Sequence, residues 1–392
     1  MRTLTPHELQ PGMILVGTVK TQTGQILGEA GGEVTRQLIN RMKLYRVDFA
    51  QVEDDPHQAV AEVVEQTLAA SEQPVVEEPV KPEPVKSERP TMEHTYIKES
   101  KTAKQRVAES PQFMGFQMEY YHAISVLKDA FAATIDKGTP LNPEELLESI
   151  KPLYQKRDTI VELFDMLNNL RALDDTIYAH SINVALVARM IGRWLRIDKQ
   201  SLDIITEAGL IHDIGKCLIP EEVLNKQGKL TDEEFDLIRS HPKLGYKLIK
   251  GMDLDSRIKK ATLQHHERCD GTGYPTGLDE DNIDEVAMII AIADVYDAMT
   301  AARSYRIPLC AFQVIAKFEE EGFQKYPIKF IMTFLRQIAM TYQSNRVVLN
   351  DGRSCKIIML NKNDLSRPMV KFDDNSIIDL SHTRDLFIKA II

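Results

Sequence analysis

Between residues 113 and 340, hydrophobic positions recur at the three- and four-residue spacing of amphipathic helices. One helix start is clear at Asn142, where a capping asparagine precedes proline and two acidic residues. Strand-like alternation is scarce in this stretch, so the pattern predicts an all-α domain. The predicted helices cover residues 114–133, 146–163, 176–194, 200–212, 232–249, 284–300, 311–320 and 329–340.

The two ends of the chain have a different pattern. Residues 12–19 and 25–27 alternate like short strands around a turn, residues 34–42 have helical spacing, and residues 45–52 resemble another strand. After about Asn345, four short apolar runs are separated by Asn-Asp-Gly and Asp-Asp-Asn turns. We therefore expect a mainly α protein. Its predicted parts are an α+β module at 1–65, a helical domain at 109–342 and a small β appendage at 343–392.

Residues 66–108 change in composition, because prolines alternate there with glutamates and lysines. Such a segment lacks the large apolar residues needed to bury a core. We interpret it as an extended linker, and a short polyproline-type recognition motif is the less favoured alternative.

Composition argues against a nucleic-acid-binding, disulfide-bonded or membrane-spanning protein. The chain has 392 residues and a formal net charge of −10, so it has no general basic surface for nucleic acid. Its four cysteines are widely spaced and form no Cys-x-x-Cys pair, which favours a reducing compartment. The longest apolar run, Val286 to Ala293, is far shorter than the ~20 residues of a membrane helix, and the N-terminus lacks a signal-peptide core. We expect a cytoplasmic protein without membrane insertion.

Histidines and aspartates are placed along the helical region in a pattern that indicates metal chemistry. They are His180, His212, Asp213, His241, His265, His266 and Asp294. Imidazoles and carboxylates are the usual ligands of divalent first-row metals. Any one of them alone would more often be a core or surface polar group, but two adjacent pairs and an acid within apolar runs need a common explanation. Lys216, one helical turn beyond His212, can supply positive charge without being a ligand.

These residues carry a resemblance to a known family. Residues 212–216 read His-Asp-Ile-Gly-Lys and match the HDxGK form of the HD metal-hydrolase motif. Residues 265–275 read His-His-Glu-Arg-Cys-Asp-Gly-Thr-Gly-Tyr-Pro and match the signature of the HD-GYP domain. The resemblance covers about residues 145–340 and implies a metal-dependent cyclic di-GMP phosphodiesterase. The N-terminal module is similar to the small domain that precedes HD-GYP in a bacterial subfamily.

The resemblance also implies roles for single residues. It assigns His180, His212, Asp213 and Asp294 to one metal ion, with Asp213 bridging to a second ion held by His241, His265 and His266. The two ions would be iron or manganese. Lys216 and Asp213 would be the catalytic residues. The implied substrate-binding residues are Lys216, Gly273, Tyr274, Pro275, Arg303 and Arg306, and we expect the Tyr274 ring to meet a guanine face.

Two positions depart from the family pattern. Ser304 replaces a common proline, and Thr176 replaces a glutamate that ligates a third metal in some members. We therefore expect two metals, with ring opening to pGpG faster than the second cut to GMP.

Two other functions stay open. One is a receptor that binds the cyclic dinucleotide but barely cuts it, and the other is an HD nucleotidase for mononucleotides, which residues 270–275 disfavour. Signalling proteins that bind the N-terminal module and a homodimer are further expected partners. The metal identity, the sensed input and the activity on other cyclic dinucleotides are left open.

Overall fold

The computed structural model describes residues 2–52 apart from 7, 11, 21–25, 36–37, 40–41, 43–46 and 48, and residues 110–392 apart from 156–162, 165, 168–169, 171–175, 227 and 302–307. The chain divides into two compact units, Met1–Thr95 and Tyr96–Ile392, which are described separately. The predicted linker and two predicted substrate residues, Arg303 and Arg306, lie outside the described residues.

The first unit contains two short antiparallel strand pairs. Strand β1 (Arg2–Leu4) pairs with β4 (Ala50–Val52), and β2 (Val19–Lys20) pairs with β3 (Ile26–Gly28). Within the predicted strand 12–19, Ile14 and Leu15 form only isolated bridges, to Glu33 and Val52. Leu15, Val34, Met42 and Val52 are almost fully buried, so this unit has a small core of its own.

The second unit is mainly helical, which confirms the predicted fold class. Its helices are α1 (Pro111–Lys137), α2 (Pro143–Gln155), α3 (Ile177–Trp194), α4 (Lys199–Ile211), α5 (Glu221–Leu224), α6 (Asp232–Arg239), α7 (His241–Ile249), α8 (Ser256–Gln264), α9 (Glu285–Thr300), α10 (Ala311–Lys325) and α11 (Ile328–Thr341). Among the described residues, no helix combines the length and the apolar character required to span a bilayer.

Helices α3 and α9 form the centre of this unit. Most of their side chains are buried on every side, as expected for interior helices. Helices α4 and α9 pack on α3, and α8 packs on both α4 and α9. The first turn of α3, the ends of α4 and α8, and the middle of α9 carry residues that the sequence marked as metal ligands.

The predicted helix at 232–249 is divided into α6 and α7 at Ser240. The cause is Pro242, which has no backbone N–H and cannot donate to the carbonyl of Ile238. In the structure, Nδ1 of His241 lies 2.7 Å from that carbonyl oxygen instead. The helix break therefore leaves the carbonyl of Ile238 available to orient the imidazole of His241.

A five-stranded antiparallel sheet follows the helices. Its strands are β5 (Arg346–Leu349), β6 (Ser354–Met359), β7 (Met369–Phe372), β8 (Ile377–Asp379) and β9 (Ile388–Ile391), in the order β8-β7-β6-β5-β9. The sequence pattern did not predict β9. Buried residues of the sheet, such as Val347, Ile357 and Ile388, belong to the same hydrophobic cluster as the helices. The sheet therefore shares one core with the helical part.

One half-buried carboxylate connects the sheet region to α10. The oxygens of Glu319 accept the backbone N–H groups of Leu365, at 2.6 Å, and Ser366, at 3.2 Å. Both donors are buried, so neither N–H has an alternative partner in water.

We expect Glu319→Ala to lower the free energy of unfolding by roughly 1–3 kcal/mol, because it leaves two buried donors unpaired. Urea unfolding followed by circular dichroism measures this change. The matched control is Glu320→Ala, which removes only an exposed ion pair with Lys317 and should cost about 0–1 kcal/mol. Equal effects of the two substitutions would contradict a bridging role for Glu319.

Candidate metal centre

The predicted ligands come from five separate elements and meet at one place. His180 lies in the first turn of α3, the pair at 212–213 follows α4, His241 begins α7, the pair at 265–266 follows α8, and Asp294 lies in α9. Their ligand atoms form two groups, and the atoms within each group lie within 4.8 Å of one another. The first group is Asp213, His241, His265 and His266; the second is His180, His212 and Asp294.

Asp213 belongs to the first group but also contacts the second, and it is fully buried. Its Oδ2 atom is 3.5 Å from Nε2 of His180 and 3.3 Å from Nε2 of His212. Its Oδ1 atom is 3.2 Å from Nε2 of His241 and 3.6 Å from Nε2 of His265. Each carboxylate oxygen thus faces a different set of imidazoles.

Backbone carbonyls fix the orientation of three of these imidazoles. Nδ1 of His212 lies 2.8 Å from the Gly209 oxygen, and Nδ1 of His265 lies 3.1 Å from the oxygens of Ala261 and Thr262. His241 makes the equivalent contact with Ile238. A carbonyl only accepts, so Nδ1 must carry the proton. In a neutral ring, Nε2 then keeps its lone pair toward the centre.

The resulting arrangement fits a divalent cation. Nε2 of His241 and Nε2 of His265 are only 3.2 Å apart, although both present lone pairs. Nε2 of His212, Oδ1 of Asp213 and Nε2 of His266 are buried without a hydrogen-bond partner among the described residues. Buried lone pairs that face one another without a donor are costly. A metal ion would satisfy all of them together, and the mixed nitrogen and oxygen donors suit such an ion.

Three of the candidate ligands, His265, His266 and Asp213, have the ionisation that metal binding requires. Burial lowers the pKa of His265 to about 4 and holds the pKa of His266 well below its usual value, so both rings are neutral. Burial alone would raise the pKa of Asp213, but the nearby His212 and Lys216 hold it well below the ordinary value. Neutral imidazoles and ionised carboxylates are the forms that bind metals.

Two further residues hold the centre together, and the sequence analysis gave one of them no role. Oδ2 of Asp297, a buried residue, lies 2.8 Å from Nδ1 of His180. Burial lowers the pKa of His180, but its bonds to Asp294 and Asp297 raise it to about 9. The signal for Asp297 was its spacing, three residues after Asp294 and hence on the same helix face.

The second of these residues is Lys216. Nζ of Lys216 lies 2.5 Å from Oδ2 of Asp213.

A glycine-rich loop, residues 270–278, is held against the ligands by Glu267. The buried carboxylate of Glu267 accepts the backbone N–H groups of Thr276, at 2.7 Å, and of Gly277 and Leu278, each at 3.0 Å. A Cβ atom on Gly273 would lie 2.4 Å from the Cα atom of Glu267. Only glycine permits this close approach. The sequence analysis assigned no role to Glu267, although the residue lies next to His266 in the signature.

Tyr274 packs between two groups at the edge of the centre. Its ring stacks on His266, with centroids 4.6 Å apart and planes 21° apart. The guanidinium carbon of Arg239 lies 4.7 Å from the centroid of the same ring. Burial raises the pKa of the Tyr274 hydroxyl well above its usual value, so the side chain is neutral. Pro275 follows in the loop and is half-buried.

Comparison with known proteins finds similarity over the region that contains this site. The family model described as HD domain matches residues 143–326. A Pseudomonas aeruginosa protein named cyclic di-GMP phosphodiesterase is 35% identical over 206 residues, which cover 52% of this chain and 50% of that protein. A Xanthomonas campestris response regulator with the same activity in its name is 41% identical over 124 residues, which cover 31% of this chain and 32% of that one.

A third relative has a different named substrate. A Vibrio cholerae protein named 3'3'-cGAMP-specific phosphodiesterase 1 is 34% identical over 197 residues, which cover 50% of this chain and 42% of that protein. The chain therefore spans half or less of the length of these curated relatives. The matched region contains the metal centre and the glycine-rich loop.

We expect Gly273→Ala to displace the loop and to destabilise the protein by roughly 1–3 kcal/mol, the usual cost of overpacking. The reason is that the new Cβ would meet backbone atoms at 2.4 Å, and backbone cannot rotate away. Urea unfolding measures the effect. Gly251→Ala is the control, since a Cβ there meets nothing within 4 Å. If both variants unfold at the wild-type urea concentration, the close packing of the loop on Glu267 does not limit stability.

Proposed function

We propose, on the premise that residues 143–326 form an HD domain of the HD-GYP type, that this chain is a metal-dependent phosphodiesterase that opens cyclic di-GMP to linear pGpG. The observation that carries the proposal is the position of Asp213, whose two oxygens face two different groups of imidazoles. A carboxylate can bridge two ions in this way, whereas an imidazole cannot. The names of the curated relatives support cyclic dinucleotides as the substrate class.

Two ions, iron or manganese, would be held by the two groups. The second group, His180, His212 and Asp294, would hold one ion together with Asp213. The first group, Asp213, His241, His265 and His266, would hold the other. When bound, such ions act as Lewis acids that lower the pKa of water and neutralise charge on phosphoryl oxygens. The identity of the ions stays open between the two metals, because both accept imidazole and carboxylate ligands.

Lys216 supplies positive charge beside the reacting phosphate. Its ammonium group contacts Oδ2 of Asp213 at 2.5 Å, and its side chain is 23% exposed, so it extends from the buried ligand to the surface of the site. A phosphoryl oxygen placed at the ligands would lie within reach of this cation. Positive charge fixed there stabilises the negative charge that develops during phosphodiester cleavage.

The remaining residues position these groups. Asp297 fixes the ring of His180, and Glu267 fixes the loop that carries Gly273, Tyr274 and Pro275. Because Tyr274 stacks on His266, a substrate that contacts the loop is held at a set distance from the ligands. We assign Arg303 and Arg306 to the substrate phosphates and guanine on the family resemblance alone.

The alternative is a receptor that binds the cyclic dinucleotide without cutting it. The full set of seven candidate ligands favours an enzyme, since a receptor has no need for a preorganised metal centre. The N-terminal module, residues 1–65, is our candidate for contacts with signalling proteins, and a homodimer is a further proposal.

We expect the metal-loaded protein to convert cyclic di-GMP to pGpG, and Asp213→Asn to abolish this activity. An amide lacks the charge needed to hold two cations together. Turnover is followed by chromatography with Mn²⁺ or anaerobic Fe²⁺, and metal content by mass spectrometry. Asp129→Asn, an exposed aspartate on α1, is the control and should behave as wild type. Absence of turnover in the loaded wild type would refute the function. Full metal content and activity in Asp213→Asn would refute the bridging role.

We further expect two metals per chain and a build-up of pGpG before GMP appears. The hydroxyl of Thr176 caps α3 by accepting the N–H of Ala179 at 3.2 Å, and a neutral hydroxyl is a poor ligand for a third ion. Metal analysis and a product time course measure both quantities. Thr176→Glu should raise the metal content toward three ions per chain and should speed the appearance of GMP. The controls Thr176→Ser and Thr176→Gln should change neither quantity. Three ions in the wild type, or GMP without pGpG, would contradict this expectation.

A further inference from the structure

Helix α6 places an aromatic ring and a cation beside the metal centre, and the proposed mechanism uses neither. Phe235 and Arg239 lie one turn apart on this helix, and the guanidinium carbon of Arg239 is 5.8 Å from the centroid of the Phe235 ring. The side of α6 that carries them reaches the glycine-rich loop, since the same guanidinium lies over Tyr274. Phe235 is 52% exposed, although a ring of this size usually packs into a core.

The ring of Tyr274 has two close neighbours, His266 and Arg239. His266 and the guanidinium of Arg239 lie over Tyr274 at nearly the same distance, 4.6 and 4.7 Å from its centroid. The protein's own side chains therefore cover part of the Tyr274 ring. A base that stacks on Tyr274, as the sequence predicts, would therefore share the ring with these two groups.

The guanidinium itself is available for binding. Its side chain makes no hydrogen bond and no ion pair with any residue of the described part of the chain, and it is half-buried. A guanidinium held flat by its contact with a ring still directs its N–H groups outward in the plane. Arg239 is also only two residues before His241, so its backbone is fixed relative to the metal centre.

We propose that Phe235 and Arg239 form a guanine-binding subsite of the active centre. The exposed Phe235 ring would carry the face of the base, and the guanidinium would donate two parallel hydrogen bonds to its O6 and N7 atoms. This inference rests on the proposed function, because it places one base of the substrate next to the phosphate bound at the metals.

The chemistry of the two residues favours guanine over the other groups of a nucleotide. A phosphate can use a guanidinium but gains nothing from an exposed aromatic ring. Adenine can stack on the ring, but it presents an N6 amino donor where guanine has the O6 acceptor, so two donors would oppose each other. The pair therefore selects for guanine at this position.

The test compares cyclic di-GMP with cyclic di-AMP, each as substrate and as competitive inhibitor of the wild type and three variants. Arg239→Ala should raise KM for cyclic di-GMP roughly 5- to 150-fold, the equivalent of the ~1–3 kcal/mol of a bidentate base contact. It should leave the inhibition constant of cyclic di-AMP nearly unchanged. Arg239→Gln should shift preference further toward cyclic di-AMP, because a glutamine amide complements the N6 and N7 atoms of adenine.

Phe235→Ala should weaken the binding of cyclic di-GMP and of cyclic di-AMP by a similar factor, since stacking does not distinguish the bases. In all three variants kcat and metal content should stay close to wild type, because neither residue is one of the seven candidate metal ligands. Exposed residues remote from α6 in sequence provide matched controls, Arg336→Ala for loss of charge and Phe387→Ala for loss of an exposed ring.

Several results would overturn the subsite. An unchanged KM in Arg239→Ala, or an equal loss for cyclic di-GMP and cyclic di-AMP, would refute guanine recognition; the second result indicates a phosphate contact. Loss of metal in the variants would show that α6 only supports His241. Wild-type protein that neither cleaves nor binds a cyclic dinucleotide would refute the function together with the subsite. If the wild type cleaves cyclic di-GMP and the variants keep its KM and inhibition constants, the subsite is refuted and the proposed function is not.

Discussion

The buried carboxylate of Asp213 is the group on which the rest of the site depends. A fully buried charge costs several kcal/mol unless opposite charge and hydrogen bonds surround it. Around Asp213 the chain supplies Lys216 on one side and imidazoles on both, yet several imidazole nitrogens present lone pairs rather than protons. Such an arrangement suits a cation site better than a buried polar cluster with a purely structural role. The helices that carry these residues therefore bring together lone pairs that a divalent cation would satisfy.

Helix ends explain how the histidines are oriented. The last carbonyls of a helix have no intrahelical partner. His212 and His265 each follow directly on a helix, and their Nδ1 atoms take carbonyls from the preceding turn. His241 does the same at the break that Pro242 creates. Backbone acceptors near the helix ends thus set the tautomer of three rings. The Nε2 lone pairs of these rings converge because the helix ends lie close together.

Sequence reasoning succeeded where local patterns determine the outcome. Helical periodicity predicted the mainly α fold, and the spacing of adjacent His-Asp and His-His pairs identified side chains that the structure brings together. It failed where the outcome depends on distant partners. Strand β9 forms only because β5 offers an edge, and Asp297 and Glu267 acquire roles from the groups that face them. The contact of Arg239 with Tyr274 joins two elements whose approach no local pattern reveals.

The contacts of Glu267 fix the number of residues between the histidine ligands at 265–266 and the glycine-rich loop that follows them. Its carboxylate bonds the backbone at 276–278, and the N–H of Tyr274 returns to the carbonyl of His266 at 3.2 Å. The stretch from His265 to Leu278 therefore closes on itself. Insertion or deletion of a single residue within it would shift every later contact out of register. We therefore expect this stretch to tolerate substitutions more readily than changes of length.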